Sequence, residues 1–468
     1  MTTDRFRLPA TICLLGTICF LVMGPAATPL RAATQATEQL ATEQPITEQE
    51  PPTPTGHGAI FFHPDGTSAA HWDAARIRYA GPDSALHWDR LPVLTTYRGH
   101  LSDQLDGTSN AGAVAHATGA RPYSGSLGLD PSGQPYRSAN GTLNTIMEDA
   151  VQAGLGTALV QTGSLIEPGT AAFVSRAARR ADYEEIALEV VRSGVDVILG
   201  GGEQWLLPEG VQGRFGPGRR TDGQDLIEML REKGYTIAYT RDELMRVPAE
   251  AEKVFGVFSL SHTFHARSET ALRAAGTPVY VPTSPTVAEM AAFALRRVQQ
   301  DPNGFFAVIE EEGSDNLCNA MHASGCLMAL KRADDAIGVI REVIAARPST
   351  FMLTTSDSNA NGMQVVNRDE ADRNVPAFDS GSGAPMDGAG GPGTRPFRSM
   401  PDASGRAFPF AIAWAHDGDL GSGVLARAEG LEAREKVSTL GLQNTDVYRL
   451  LYATLFEEPL PPKSTSAP

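Results

Sequence analysis

From about residue 58 onward, short apolar runs alternate with amphipathic stretches. Runs at 59–62, 157–161, 195–199, 254–258, 305–309, 350–354 and 410–414 predict strands buried on both faces. The stretches 182–193, 222–233, 286–300 and 329–346 between them carry helical periodicity, and Thr286 followed by Glu289 forms a capping-box signature at one helix start. Strand and helix in alternation predict an α/β fold, a large and mostly parallel central sheet with helices on both faces. The segment 367–407, rich in Gly, Pro and Ser, interrupts the alternation and reads as a long loop.

The ends of the chain differ. Residues 1–33 combine Arg5 and Arg7 with an apolar run from Leu8 to Met23 and an Ala-rich stretch, the pattern of a secretory leader. The apolar run is short of the ~20 residues that a membrane span needs, and no stop-transfer charges follow it. Neither Cys13 nor Cys19 follows the small residue that a lipid anchor requires. A tail of Glu, Gln, Thr and Pro occupies 34–57, one folded domain is expected over 58–457, and 458–468 is a second tail. The expected location is therefore periplasmic or extracellular. There Cys318 and Cys326 could pair, but if they shared one continuous helix their eight-residue separation would hold them about 12 Å apart. Both alternatives stand.

With 468 residues and 41% hydrophobic side chains the chain can bury one large core or two medium ones. A net charge of -16 disfavours a nucleic-acid partner, since a phosphate backbone needs a basic face. In a parallel sheet ligands sit beyond the carboxyl ends of the strands. Asp65, Glu167, Glu310, Asp315, Asp357 and Asp419 all follow expected strands. Carboxylates converging from separate strands repel one another unless a cation lies among them, which points to metal ions. Ser109 lies in a run of small residues opening a helix that should extend to Gly119. A hydroxyl at a helix N-terminus, facing unpaired N–H groups, suits a nucleophile for phosphorus, although a plain N-cap serine has the same signature.

The segment SNAGAVAHATG at 109–119 resembles the nucleophile segment of alkaline phosphatases. FFHPDG around Asp65, DVILGGG at 196–202, RTDGQDLIEML at 220–230, PTVAEM at 285–290 and PNGFFAVIEEEGSD at 302–315 are similar to segments of the same family. So are LTTSDSNANG at 353–362 and LQNTDVYRLL at 442–451, so the resemblance spans about 58–455. It implies metal-dependent hydrolysis of a small phosphate monoester, with Ser109 as phosphorylated nucleophile and Arg180 gripping the phosphate. Asp65 would bridge two metals, Glu167 and Glu310 would serve the magnesium site, and Asp315 and Asp357 would hold one ion each. At the family's histidine positions this chain has Asn319, Ser358 and Asp419. Gly169 replaces a usual threonine, and Thr108 stands where an aspartate normally braces the arginine. An oxygen-only shell predicts magnesium, with calcium or manganese as alternatives, in place of the family's zinc. A phosphodiester or sulfate ester would suit the same architecture, and loss of ligands would leave a phosphate-binding protein without activity. His71 and His322 are left outside the ligand set. A homodimer is expected by analogy alone.

Overall fold

The computed structural model describes residues 50–367, 386–388 and 396–463, all within one compact unit, Gln49–Pro468. The expected leader at 1–33, most of the expected first tail, much of the Gly-rich segment and the last five residues lie outside the described residues.

The strands are β1 (Gly58–Pro64), β2 (Val93–Arg98), β3 (Gly156–Ser164), β4 (Val197–Gly201), β5 (Tyr235–Ala238), β6 (Lys253–Val257) and β7 (Phe305–Glu311). They continue with β8 (Thr350–Thr354), β9 (Met363–Asn367), β10 (Phe397–Arg398), β11 (Pro409–Trp414), β12 (Leu425–Gly430) and β13 (Leu442–Gln443). Ten of them form one sheet in the order β13-β2-β12-β8-β1-β7-β3-β4-β6-β5. Its paired strands are parallel except β12, which runs antiparallel to β2 and β8.

Every residue of β1, β3, β7 and β8 is buried, as continuous apolar runs require when helices cover both faces. The two-residue period divides the core. Ala59, Phe61, Phe306 and Val308 face a layer containing the helices Ser109–Thr118 and Asn444–Leu455. Ile60, Phe62, Phe305, Ala307 and Ile309 face the helices Ala69–Tyr79, Val287–Val298 and Ala323–Ala346. The capping box forms as expected: Thr286 N donates to Glu289 Oε2 at 2.9 Å and Glu289 N donates to Thr286 Oγ1 at 3.2 Å.

Three features differ from the sequence pattern. The run 410–414 is a strand, but β11 pairs antiparallel with β9 and β10 in a separate three-stranded sheet. Local hydrophobicity reports burial and is silent about which neighbour a strand chooses. The helix Gly313–Asn319 ends before Ala323–Ala346 begins, and between them Met321 takes φ 50°. That break brings the Cα atoms of Cys318 and Cys326 to 5.2 Å, and the two are disulfide-bonded. Finally, residues 53–55, inside the stretch read as tail, are held by the C-terminal segment: Thr53 N donates to Glu458 Oε1 at 2.9 Å and Thr55 Oγ1 to Thr454 O at 2.7 Å. Among the described residues no helix is long and apolar enough to cross a membrane.

Candidate metal and nucleophile centre

β1 lies between β7 and β8, so the carboxyl ends of three adjacent parallel strands open at one place. β1 ends in His63-Pro64 with Asp65 just beyond, β7 runs into Glu310-Glu311-Glu312, and β8 leads to Asp357 and Ser358. The register sets His63 opposite Glu310. His63 Nδ1 lies 3.2 Å from Glu310 Oε1, and its Nε2 is 3.7 Å from Asp65 Oδ1 and 3.8 Å from Asp357 Oδ1. Two groups, His63/Asp65/Asp357 and Asp65/Glu310/Glu312, each offer donor atoms within 4.8 Å of one another, and Asp65 belongs to both.

These side chains are buried, yet His63 Nε2, Asp65 Oδ2, Glu310 Oε2, both Asp357 oxygens and Ser358 Oγ have no hydrogen-bond partner. Burial and mutual repulsion push Asp357, Glu312 and Asp315 far above the usual carboxylate range. Burial opposes protonation of His63, but Asp65, Glu310 and Asp357 outweigh it and raise its pKa to about 9. Unpartnered oxygens from several strands around one buried volume form a donor set suited to divalent cations.

A second part of the site is formed by Asp315, Asn319 and Asp419. Asn319 Nδ2 donates to Asp315 Oδ1 and Oδ2 at 2.9 and 2.8 Å, and to Asp419 Oδ1 at 3.3 Å. The structure thus brings these three together. As oriented, Asn319 turns its amide nitrogen toward the carboxylates.

Ser109 opens the helix Ser109–Thr118 with Thr108 as N-cap, Oγ1 accepting from Ala111 N at 3.4 Å, and Gly119 ends it at φ 71°. Gly112, one turn beyond Ser109, faces Asp357: a Cβ there would lie 2.5 Å from Asp357 Cβ and 3.0 Å from its Oδ2. Gly169 abuts Glu310 even more tightly, so that a side chain there would meet the Glu310 carboxylate head-on. The space that a threonine would fill is thus taken by Glu310, turned toward His63. Glu167 does not join either donor group. Its Oε2 accepts from Arg180 Nη2 at 2.9 Å, and its Oε1 lies 3.9 Å from His262 Nε2.

The family model "Alkaline phosphatase" matches residues 57–373. The chain belongs to the alkaline phosphatase family. It is 25% identical to alkaline phosphatase H of Pseudomonas aeruginosa over 317 residues, 59% of this chain and 63% of that one. With the repressible alkaline phosphatase of Saccharomyces cerevisiae it shares 26% over 330 residues, 65% and 55% of the two chains. The chain thus spans less than two thirds of either relative's length. Among solved structures, Thermus thermophilus alkaline phosphatase superposes with a TM-score of 0.67 at 21% identity, covering 88% of this chain and 94% of that one. An alkaline phosphatase from an Antarctic bacterium gives 0.63 at 17%, covering 86% and 98%. These structural likenesses concern the fold.

Two buried members of the centre escaped the sequence reading. His63 precedes Asp65 by two residues, and in a strand that spacing puts both on one face, a signal that was available. Glu312 ends a run of three glutamates, of which spacing selected only the first. The oxygen-only shell is therefore incomplete, since an imidazole stands among the carboxylates. His71 and His322 lie apart from those carboxylates: His71 Nδ1 meets Ser68 Oγ at 2.9 Å, and His322 Nδ1 meets Arg267 O at 3.1 Å.

Proposed function

We propose that the chain hydrolyses phosphate monoesters through a phosphoserine at Ser109, with divalent cations held by the carboxylate centre. The observation that carries this reading is the contact of the Ser109 helix with Asp357 at Gly112, beside a cluster of buried oxygens without partners. Asp65, Asp357 and Ser358 would hold one cation, Asp315, Asp419 and, with its amide oxygen turned toward them, Asn319 another, and Glu310 with Glu312 and Asp65 would complete the donor set. Magnesium is the first candidate, with manganese or calcium as alternatives. Bound cations would supply Lewis-acid polarisation of the phosphoryl group and favour the Ser109 alkoxide.

In the first step Ser109 Oγ releases its proton to solvent and forms a bond to phosphorus, the bond to the leaving oxygen breaks, and that oxygen takes a proton from solvent. In the second, water attacks phosphorus, the Oγ–P bond breaks, Ser109 regains its proton and inorganic phosphate departs. Arg180 would bind two non-bridging oxygens through its planar fork. Glu167, 2.9 Å from that guanidinium, holds it in place and takes over the support that position 108, a threonine, cannot give. Export is part of the same proposal: the leader pattern at 1–33 and the Cys318–Cys326 disulfide both suit an oxidising compartment.

The test is rapid-quench turnover of a chromogenic phosphomonoester, followed by peptide mass spectrometry. A phosphoryl group should appear on the peptide carrying Ser109. Ser109→Ala should lose that adduct and roughly 10³-fold or more of turnover while keeping its fold. Turnover like the parent's in Ser109→Ala would overturn the assignment. Phosphate binding without turnover in the metal-loaded parent would favour a binding protein.

A further inference from the structure

We propose that His63 is itself a metal ligand, coordinating through Nε2 the same cation as Asp65 and Asp357. The proposal rests on reading the centre as a metal site. His63 is fully buried at the end of β1, where its ring nitrogens face different groups. Nδ1 lies 3.2 Å from Glu310 Oε1, a distance at which Nδ1–H donates to the carboxylate. In the neutral ring, the form a bound cation would hold, that bond leaves the lone pair on Nε2, which faces Asp65 Oδ1 at 3.7 Å and Asp357 Oδ1 at 3.8 Å and has no hydrogen-bond partner. The three groups come from two adjacent strand ends and converge on one buried point.

These distances fit a cation. Bonds of about 2.1 Å set neighbouring donors roughly 3.0–3.6 Å apart, so the observed spacings need to contract by only a few tenths of an ångström. The partner on Nδ1 fits too, because ligating histidines usually donate their other N–H to a carboxylate, which fixes the tautomer and strengthens the donor. Glu310 fills that role here. It can do so because Gly169 leaves the Glu310 carboxylate room to turn toward His63. Ser358 offers a hydroxyl at the same strand end, so the imidazole enters from β1 instead of from the residue beside Asp357. One nitrogen in an otherwise oxygen shell should shift preference from calcium and magnesium toward manganese and zinc.

The test measures metal binding without substrate, so that its failure is separate from any failure of hydrolysis. The full chain, stripped by chelator and labelled with ¹⁵N-histidine, is loaded with Mn²⁺. Electron spin-echo spectroscopy then looks for a nitrogen coupling, and calorimetry gives affinity and stoichiometry. The expected result is an imidazole coupling in the parent, lost in His63→Gln together with a roughly 10-fold or greater fall in affinity at one site. Asp357→Asn, which leaves the histidine in place, should weaken the same site and the same coupling, and decides the matter if His63→Gln does not fold. Bound Mn²⁺ without nitrogen coupling, or a coupling that survives in both variants, overturns the role of His63 alone. Absence of any Mn²⁺ binding overturns the metal centre as well.

Discussion

Replacing Gly112 by alanine should harm this protein, although the same change in an isolated helix would help it. Alanine favours a helix interior over glycine by about 1 kcal/mol. Here the added methyl meets Asp357 Cβ at 2.5 Å, whereas ordinary contact begins at 3.4 Å, so the two must separate by about 0.9 Å. Asp357 has little freedom to retreat. Its carbonyl packs against the backbone of Gly107 and Gly99, and the neighbouring Ser356 Oγ accepts from Thr67 N at 3.0 Å. Overpacking of this size costs about 1–3 kcal/mol, which outweighs the helix term and leaves a net loss of about 1 kcal/mol. The larger effect concerns chemistry, because a shift of about 1 Å between Ser109 and Asp357 should lower kcat/KM roughly 100-fold. Steady-state kinetics on a chromogenic phosphomonoester and thermal unfolding of the metal-loaded protein measure both. A variant with a raised Tm and unchanged kcat/KM would refute the claim that Gly112 sets the distance between the Ser109 helix and Asp357.

Gly169→Ala should force Glu310 away from His63, costing about 3 kcal/mol of stability from the lost hydrogen bond and the crowding, read by urea unfolding. Cys326→Ser should lower stability by about 2.5 kcal/mol, the chain-entropy value for a cross-link across eight residues, and thiol titration of the unfolded parent should find no free thiol at 318 or 326. His71 is buried, and that burial lowers its pKa to about 3 against an ordinary value of 6.5. Since only the unfolded chain then takes up this proton, its contribution is constant above pH 6.5 and falls as pH drops toward 3, by at most about 1.4 kcal/mol per pH unit. His71→Gln should flatten the stability profile between pH 6 and 4 relative to the parent, as measured by urea unfolding at each pH.

Much of this molecule is written locally. Runs such as 59–62 and 305–309 need only their own side chains to specify strands buried on both faces, and Thr286 with Glu289 starts a helix through bonds made within one turn. The same local logic set Ser109 at a helix start, Asp65 and Asp357 beyond strand ends, and Glu310 in the last residues of its strand. What periodicity cannot carry is the choice of neighbour. β5 and β13 are short, β2, β9 and β12 bury only part of their residues, and all five exist through pairing with distant strands. β11 looks like a member of the main sheet and joins another because Trp414 and Phe410 find β9. Two cysteines that one helix would keep apart meet because the backbone breaks at Met321. His63 meets Glu310 across 247 positions of sequence, and Glu167 turns to Arg180 and not to the donor groups beside it. Side-chain type and spacing fix what a residue is able to do. Only the register of parallel strands, set by long-range packing, decides which groups share a buried volume and therefore which charges must be neutralised together.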